Sequence, residues 1–137
     1  MKKLFLILTT LLGIVVQGYS SPNDEKTFTY RVISITPCVI QNGDIFSGET
    51  TFPKDNRIVY VDKNEIYVYI QKSNTKVTFD IKDAYFEDGI LIYETNHRLS
   101  NDKVIVMVKR FDNGIYTFSF INFKEKECYI YKVEYFN

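Results

Sequence analysis

Between residues 21 and 137 the chain carries 10 Val and 14 Ile against two Leu, Leu91 and Leu99, and a single Ala, Ala84. No other feature limits the fold as tightly. β-Branched side chains lose rotamer freedom in a helix but pack well on a pleated surface, whereas Leu and Ala favour helices. The aromatic content points the same way, with 11 Tyr, 11 Phe and no Trp. Helix-rich folds are excluded, and a chain of this size builds one core, not two. No Pro/Gly/Ser-rich linker divides it and no repeat is evident.

Alternation and punctuation place the strands. Phe28, Tyr30 and Val32 alternate, then Ile33 and Ile35 shift phase, which predicts a first strand over 27–36 with a bulge near its middle and an end to regular pairing at Pro37. After a weaker stretch through Asn42-Gly43-Asp44, further strands are predicted over 57–62, 65–71, 76–81, 84–87, 90–95, 103–110, 115–121 and 127–136. The intervening Asp62-Lys63-Asn64, Ser73-Asn74, Asp88-Gly89 and Asp112-Asn113-Gly114 have the chemistry of tight turns. Short connections permit antiparallel pairing alone, because parallel strands need crossovers. The expected architecture is an all-β antiparallel meander of 8–10 strands in a small closed or nearly closed barrel, with a two-sheet β-sandwich as the alternative.

The N-terminus reads differently from the rest. Lys2 and Lys3 precede a 13-residue run from Leu4 to Val16, broken only by Thr9, Thr10 and Gly13, and small residues follow around Gly18 and Ser20. This is the pattern of an export signal, and the run is shorter than the ~18–20 apolar residues of a membrane-spanning helix. Residues 1–20 are therefore expected to be a cleaved signal peptide helix and residues 21–137 the exported domain, periplasmic or secreted; an uncleaved anchor is the alternative. Without Lys2 and Lys3 the chain has 15 basic against 17 acidic groups, a net charge of −2. Basic residues are not clustered, which argues against a nucleic-acid groove or a polybasic membrane patch. The strands over 65–71 and 84–87 are too short for a membrane-spanning barrel, whose strands need about 9–11 residues, so no transmembrane segment is expected after signal cleavage.

The two cysteines, Cys38 after the first strand and Cys128 at the start of the last, are expected to form a disulfide in an oxidising compartment. The bridge would bring the first and last strands together, as a closed barrel requires. Two unrelated buried thiols are the alternative.

Three strands segregate aromatics onto one face. Tyr67 and Tyr69 oppose Ile66, Val68 and Ile70; Tyr116, Phe118 and Phe120 oppose Thr117 and Ser119; Tyr129, Tyr131, Val133 and Tyr135 oppose Cys128, Ile130, Lys132 and Glu134. Tyr67, Tyr69, Tyr116, Phe118, Phe120, Tyr129 and Tyr131 are the candidate ligand-binding surface, since tyrosine joins a flat apolar ring to a polar tip. The competing explanation is cross-strand packing in a chain whose composition is aromatic throughout.

Catalytic patterns are sparse. His97, the one histidine, lies in the polar stretch Asn96-His97-Arg98-Leu99-Ser100-Asn101-Asp102, where Ser100 is close in sequence but no nucleophile elbow surrounds it. Zinc ligands are lacking, and Asp62-Lys63-Asn64-Glu65 departs from calcium-loop spacing. No catalytic residue, metal or cofactor is expected, and the reading leans against an enzyme. Two functions remain: an exported binding module for a small apolar molecule or another macromolecule, or an envelope structural or inhibitor-like protein that engages a protein partner through loops 96–102 and 122–126. A cavity inside the barrel would favour the first.

Overall fold

A computed structural model of the chain describes residues 27–136. The signal peptide expected over residues 1–20 lies outside the described residues. Nine strands follow one another: β1 (Phe28–Gln41), β2 (Asp44–Ser47), β3 (Arg57–Val61), β4 (Glu65–Ile70), β5 (Thr75–Glu87), β6 (Ile90–His97), β7 (Lys103–Asp112), β8 (Ile115–Asn122) and β9 (Glu127–Tyr135). Every pairing is antiparallel. β1 pairs with β3 on one edge and β9 on the other, which closes β1 and β3 to β9 into an eight-stranded barrel. β2 is an appendage that pairs only with the C-terminal end of β1. No helix among the described residues is long and apolar enough to cross a membrane.

Three bulges bend the wall. They fall between Val32 and Ser34, Ile81 and Asp83, and Arg110 and Asp112. Each inserts a residue that reverses which face subsequent side chains occupy and increases local twist, and both effects help a flat sheet curl shut. In β5 the shift lets Phe79 and Ala84, an odd and an even position, both join the core. The segments expected as separate strands over 76–81 and 84–87 are this one bulged strand.

Pro37 does not end the pairing of β1, which continues through Val39 against Glu127. The reason is local. Ile40 donates its N–H to the Lys126 carbonyl, so alternation along the ladder turns the Pro37 backbone away from β9, where its missing N–H leaves no gap. On that other edge the Pro37 carbonyl accepts the N–H of Gly48 at 2.6 Å. A Cβ on Gly48 would lie 3.2 Å from that oxygen, closer than ordinary van der Waals contact.

The two ends of the barrel differ. At one, β3–β4, β5–β6 and β7–β8 are joined by the short turns 62–64, 88–89 and 113–114. Asp88 and Gly89 both take positive φ (51° and 79°), the signature of a hairpin turn whose twist matches its strands. This end is plugged by rings. Tyr30 lies edge-on to Tyr116, Phe118 and Tyr135 with centroids 5.0–5.5 Å apart, and burial among them pushes its phenol far above its ordinary pKa. The other end carries the longer loops 71–74, 98–102 and 123–126. Mid-barrel, Val59, Ile66, Val106 and Val133 are fully buried.

Inside and outside should differ in energetic weight. Phe118 is 1% exposed, so Phe118→Ala should cost about 3–5 kcal/mol of unfolding free energy. Tyr67→Ala, which removes an outer-wall ring stacked on Tyr60, should cost less than about 1.5 kcal/mol. Urea unfolding followed by far-UV circular dichroism measures both; equal losses would contradict this assignment of the faces.

Candidate functional site

The mouth at the long-loop end opens into a cavity of about 240 Å³. Its wall is apolar below and polar at the rim. Val68 and Ile70 from β4, Val77 and Phe79 from β5, Val104 from β7 and Phe120 from β8 form the lower lining, while His97, Asn122, Glu127, Tyr129 and Tyr131 add polar groups. All of these occupy inward positions on their strands. At this level Val68, Ile70, Val77 and Val104 stand among the rings and polar groups and the interior is left partly empty, while at the plugged end it is filled by Tyr and Phe.

The seven residues expected as a binding surface divide into three sets. Phe120, Tyr129 and Tyr131 line the cavity. Tyr116 and Phe118 point inward as well but belong to the packed core below it. Tyr67 and Tyr69 face outward from β4, since its inward positions are Ile66, Val68 and Ile70. There Tyr67 stacks on Tyr60 with centroids 4.4 Å apart beneath the Lys76 ammonium, and the Tyr69 hydroxyl donates to Asn74. The seven do not form one surface.

The cavity aromatics touch one another. Phe120 meets Tyr131 edge-on at 5.3 Å and Phe79 at 5.2 Å. Burial pushes the Tyr131 phenol above its ordinary pKa, partly offset by the Arg57 guanidinium. Tyr129, higher on β9, is 41% exposed.

His97 was not among the expected site residues, yet it lines the cavity. It is the last residue of β6 and not a loop residue, and its ring stands edge-on to Phe79 at 5.3 Å. Its Nδ1 accepts the backbone N–H groups of Leu99 and Ser100 at 3.2 and 3.3 Å. With Nδ1 an acceptor, the neutral ring carries its proton on Nε2, which makes that atom a donor. The Ser100 hydroxyl accepts the Asp102 N–H and makes no bond to the imidazole, so the two do not form a nucleophile and base. Among the described residues no group of three or more His, Cys, Asp or Glu is placed to hold a metal ion.

The rim loops are tied together by Asp102. Its carboxylate accepts from Asn122 at 3.2 Å and from the Lys124 ammonium at 3.3 Å, bonds that hold its pKa below the ordinary value. Asn122 in turn accepts the Glu125 N–H. Loop 98–102 is thereby fastened to loop 123–126 across the mouth.

On the opposite face of β9 lies the cysteine pair. Cys38 and Cys128 are direct cross-strand partners, and both are buried, in contact with Ile121. Both are free thiols in this structure. The neighbouring Ile40–Lys126 hydrogen bond makes the pair a hydrogen-bonded one by alternation, with Cα atoms ~5.5 Å apart, within the span a disulfide bridges. Burial, together with the adjoining Cys38 thiol, pushes the Cys128 thiol up to about 11.

A raised thiol pKa means little thiolate, and the thiolate is the nucleophile. In reduced protein at pH 8 Cys128 should therefore react with an aromatic disulfide reagent far more slowly than after unfolding, and the native rate should climb as pH approaches 11. Immediate native reaction at pH 8 would contradict the buried placement. No protein-family model matches the chain, and no curated protein matches it either, so its function is read from this geometry.

Proposed function

We propose that this protein is an exported, non-enzymatic binding module that holds a small molecule in the open mouth of its barrel. The observation that carries the reading is the cavity of about 240 Å³, apolar on its wall and polar at its rim. An eight-stranded barrel has an interior just wide enough to be filled by side chains or to hold one small ligand. Here the plugged end takes the first course and the open end the second. The volume exceeds the ~150 Å³ that encloses a benzene ring and falls below the ~300 Å³ where drug-sized pockets begin, which sets the guest at one or two rings or an equivalent branched chain. The Lys2-Lys3 charge and the apolar run to Val16 support export, with the periplasm or the exterior as destination.

Export carries the cysteine pair into oxidising surroundings. There the Cys38 and Cys128 thiols would give up two protons and two electrons to the compartment's oxidant and join β1 to β9. The bridge would close a loop of about 90 residues and stabilise by about 4–5 kcal/mol in the chain-entropy account. A second reading, a protein partner engaged through loops 96–102 and 122–126, draws on Leu99, 89% exposed, and Phe123, 62% exposed, at the loop tips beside the mouth.

Two experiments test these readings. Titrating indole or phenol into labelled protein should shift the NMR methyl signals of Val68, Val77 and Val104, and Val77→Phe, which fills the cavity, should weaken binding at least tenfold with the fold retained. Shifts confined to Leu99 and Phe123 would transfer the role to the loops. Non-reduced peptide mapping of protein recovered from its own host should show the Cys38 peptide joined to the Cys128 peptide; two alkylatable thiols would overturn the bridge.

A further inference from the structure

We propose that the guest of the cavity is a small organic cation, an ammonium borne on an apolar body, with the body among the valines and rings and the charged head beside Glu127. The proposal rests on the mouth being a ligand cavity and names the ligand class. Charge decides it. Among the lining residues Glu127 is the one carboxylate, and neither lysine nor arginine lines the cavity. Two carboxylates near this end are already engaged, Asp102 by Lys124 and Asp55 by Arg57, and neither lines the cavity. Glu127 has no hydrogen-bonding or ionic side-chain partner among the described residues. Arg57, the cation whose field reaches Tyr131, is held 2.9 Å from Asp55, which neutralises it locally.

A neutral apolar guest would strip water from this carboxylate and return nothing, an unfavourable exchange. An anionic guest would add repulsion. A cation restores the lost hydration as an ion pair and finds a second attraction in the rings, because the faces of Tyr and Phe carry negative charge density and draw a cation within ~6 Å of their centres. Phe79, Phe120, Tyr129 and Tyr131 supply four such rings in one small cavity. With the His97 Nδ1 accepting two backbone N–H groups, its Nε2 proton suits an acceptor atom on the guest, such as a hydroxyl beside the amine.

Three probes with one body and different heads separate charge from shape: 2-phenylethylamine, 2-phenylethanol and 3-phenylpropanoate, each titrated calorimetrically into the full chain at pH 7 and low salt. The amine should bind at least tenfold more tightly than the alcohol, and the carboxylate should not bind measurably. Glu127→Gln should reduce the amine to the affinity of the alcohol while leaving the alcohol unchanged, and Glu127→Lys should reverse the order of amine and carboxylate. The half-exposed position makes both variants compatible with folding, which circular dichroism checks. Equal binding of amine and alcohol, or amine selectivity that survives Glu127→Gln, would overturn the cation while leaving the ligand cavity in place. Failure of all three probes to bind would overturn both readings.

Discussion

The pairing of the first strand with the last holds this structure together. β1 and β9 run antiparallel from Tyr30 opposite Tyr135 to Val39 opposite Glu127, some hundred residues apart in sequence. Bringing such distant segments together costs loop-closure entropy, but that cost grows only logarithmically with length. The return is large. Closure pairs both edges of the sheet and lets every strand direct alternate side chains into a single interior. The bulge in β1 makes it possible, because the strand must serve two sets of neighbours. Before the bulge Phe28, Tyr30 and Val32 enter the core; after it Ile35 does, while Cys38 turns to the outer side to meet Cys128.

The two ends differ in how completely their inward side chains fill the section. At the plugged end Tyr30 meets Tyr116, Phe118 and Tyr135 edge to face, Phe28 lies tilted against Tyr135, and the rings fill the section. At the open end Val68, Ile70, Val77 and Val104 stand among Phe79, Phe120, Tyr129 and Tyr131, and the section is left partly empty. Turn lengths match. The short turns 62–64, 88–89 and 113–114 draw the plugged end tight, whereas loops 71–74, 98–102 and 123–126 stand around an opening, two of them latched through Asp102.

Most of the fold was legible because period-two burial leaves a period-two sequence. β3, β4 and β6 to β9 fall within two residues of their expected limits, and the bulge in β1 showed as the phase shift at Ile33. β2 left no such trace, since all four of its residues are exposed and no alternation was imposed on them. The β5 bulge was harder than that of β1 because Lys82 and Asp83 look like a turn. Site residues were less legible for a different reason. Alternation defines two faces but does not say which is inward when both are apolar, as Tyr67 and Tyr69 against Ile66, Val68 and Ile70 illustrate. In β8 the polar Thr117 and Ser119 opposite the rings are the signal that could have separated this strand from β4, and there the aromatic face is inside. His97 read as a solvated loop histidine because its neighbours Arg98, Ser100 and Asp102 are polar, yet the backbone N–H groups of that loop are what fix its ring at the mouth.

The alternation of β9 joins the seam to the cavity. From Glu127 to Tyr131 the strand turns Glu127, Tyr129 and Tyr131 toward the mouth and Cys128 and Ile130 to the outer cluster. The residues that line the cavity are thus separated by a single backbone step from the residue that meets Cys38. A side chain on one face of a strand is aimed by the backbone that the other face anchors. A covalent Cys38–Cys128 tie would therefore restrict the rotation of β9 about its own axis at the level where Glu127 and Tyr129 project, which is how a second layer of contacts preorganises a binding group. Held only by ladder hydrogen bonds, the same residues sit next to loop 123–126, at the end of the strand where fraying begins. The position of the cysteine pair at the open end of the seam, and not at the ring-filled end, means that such a tie would add constraint where packing supplies least.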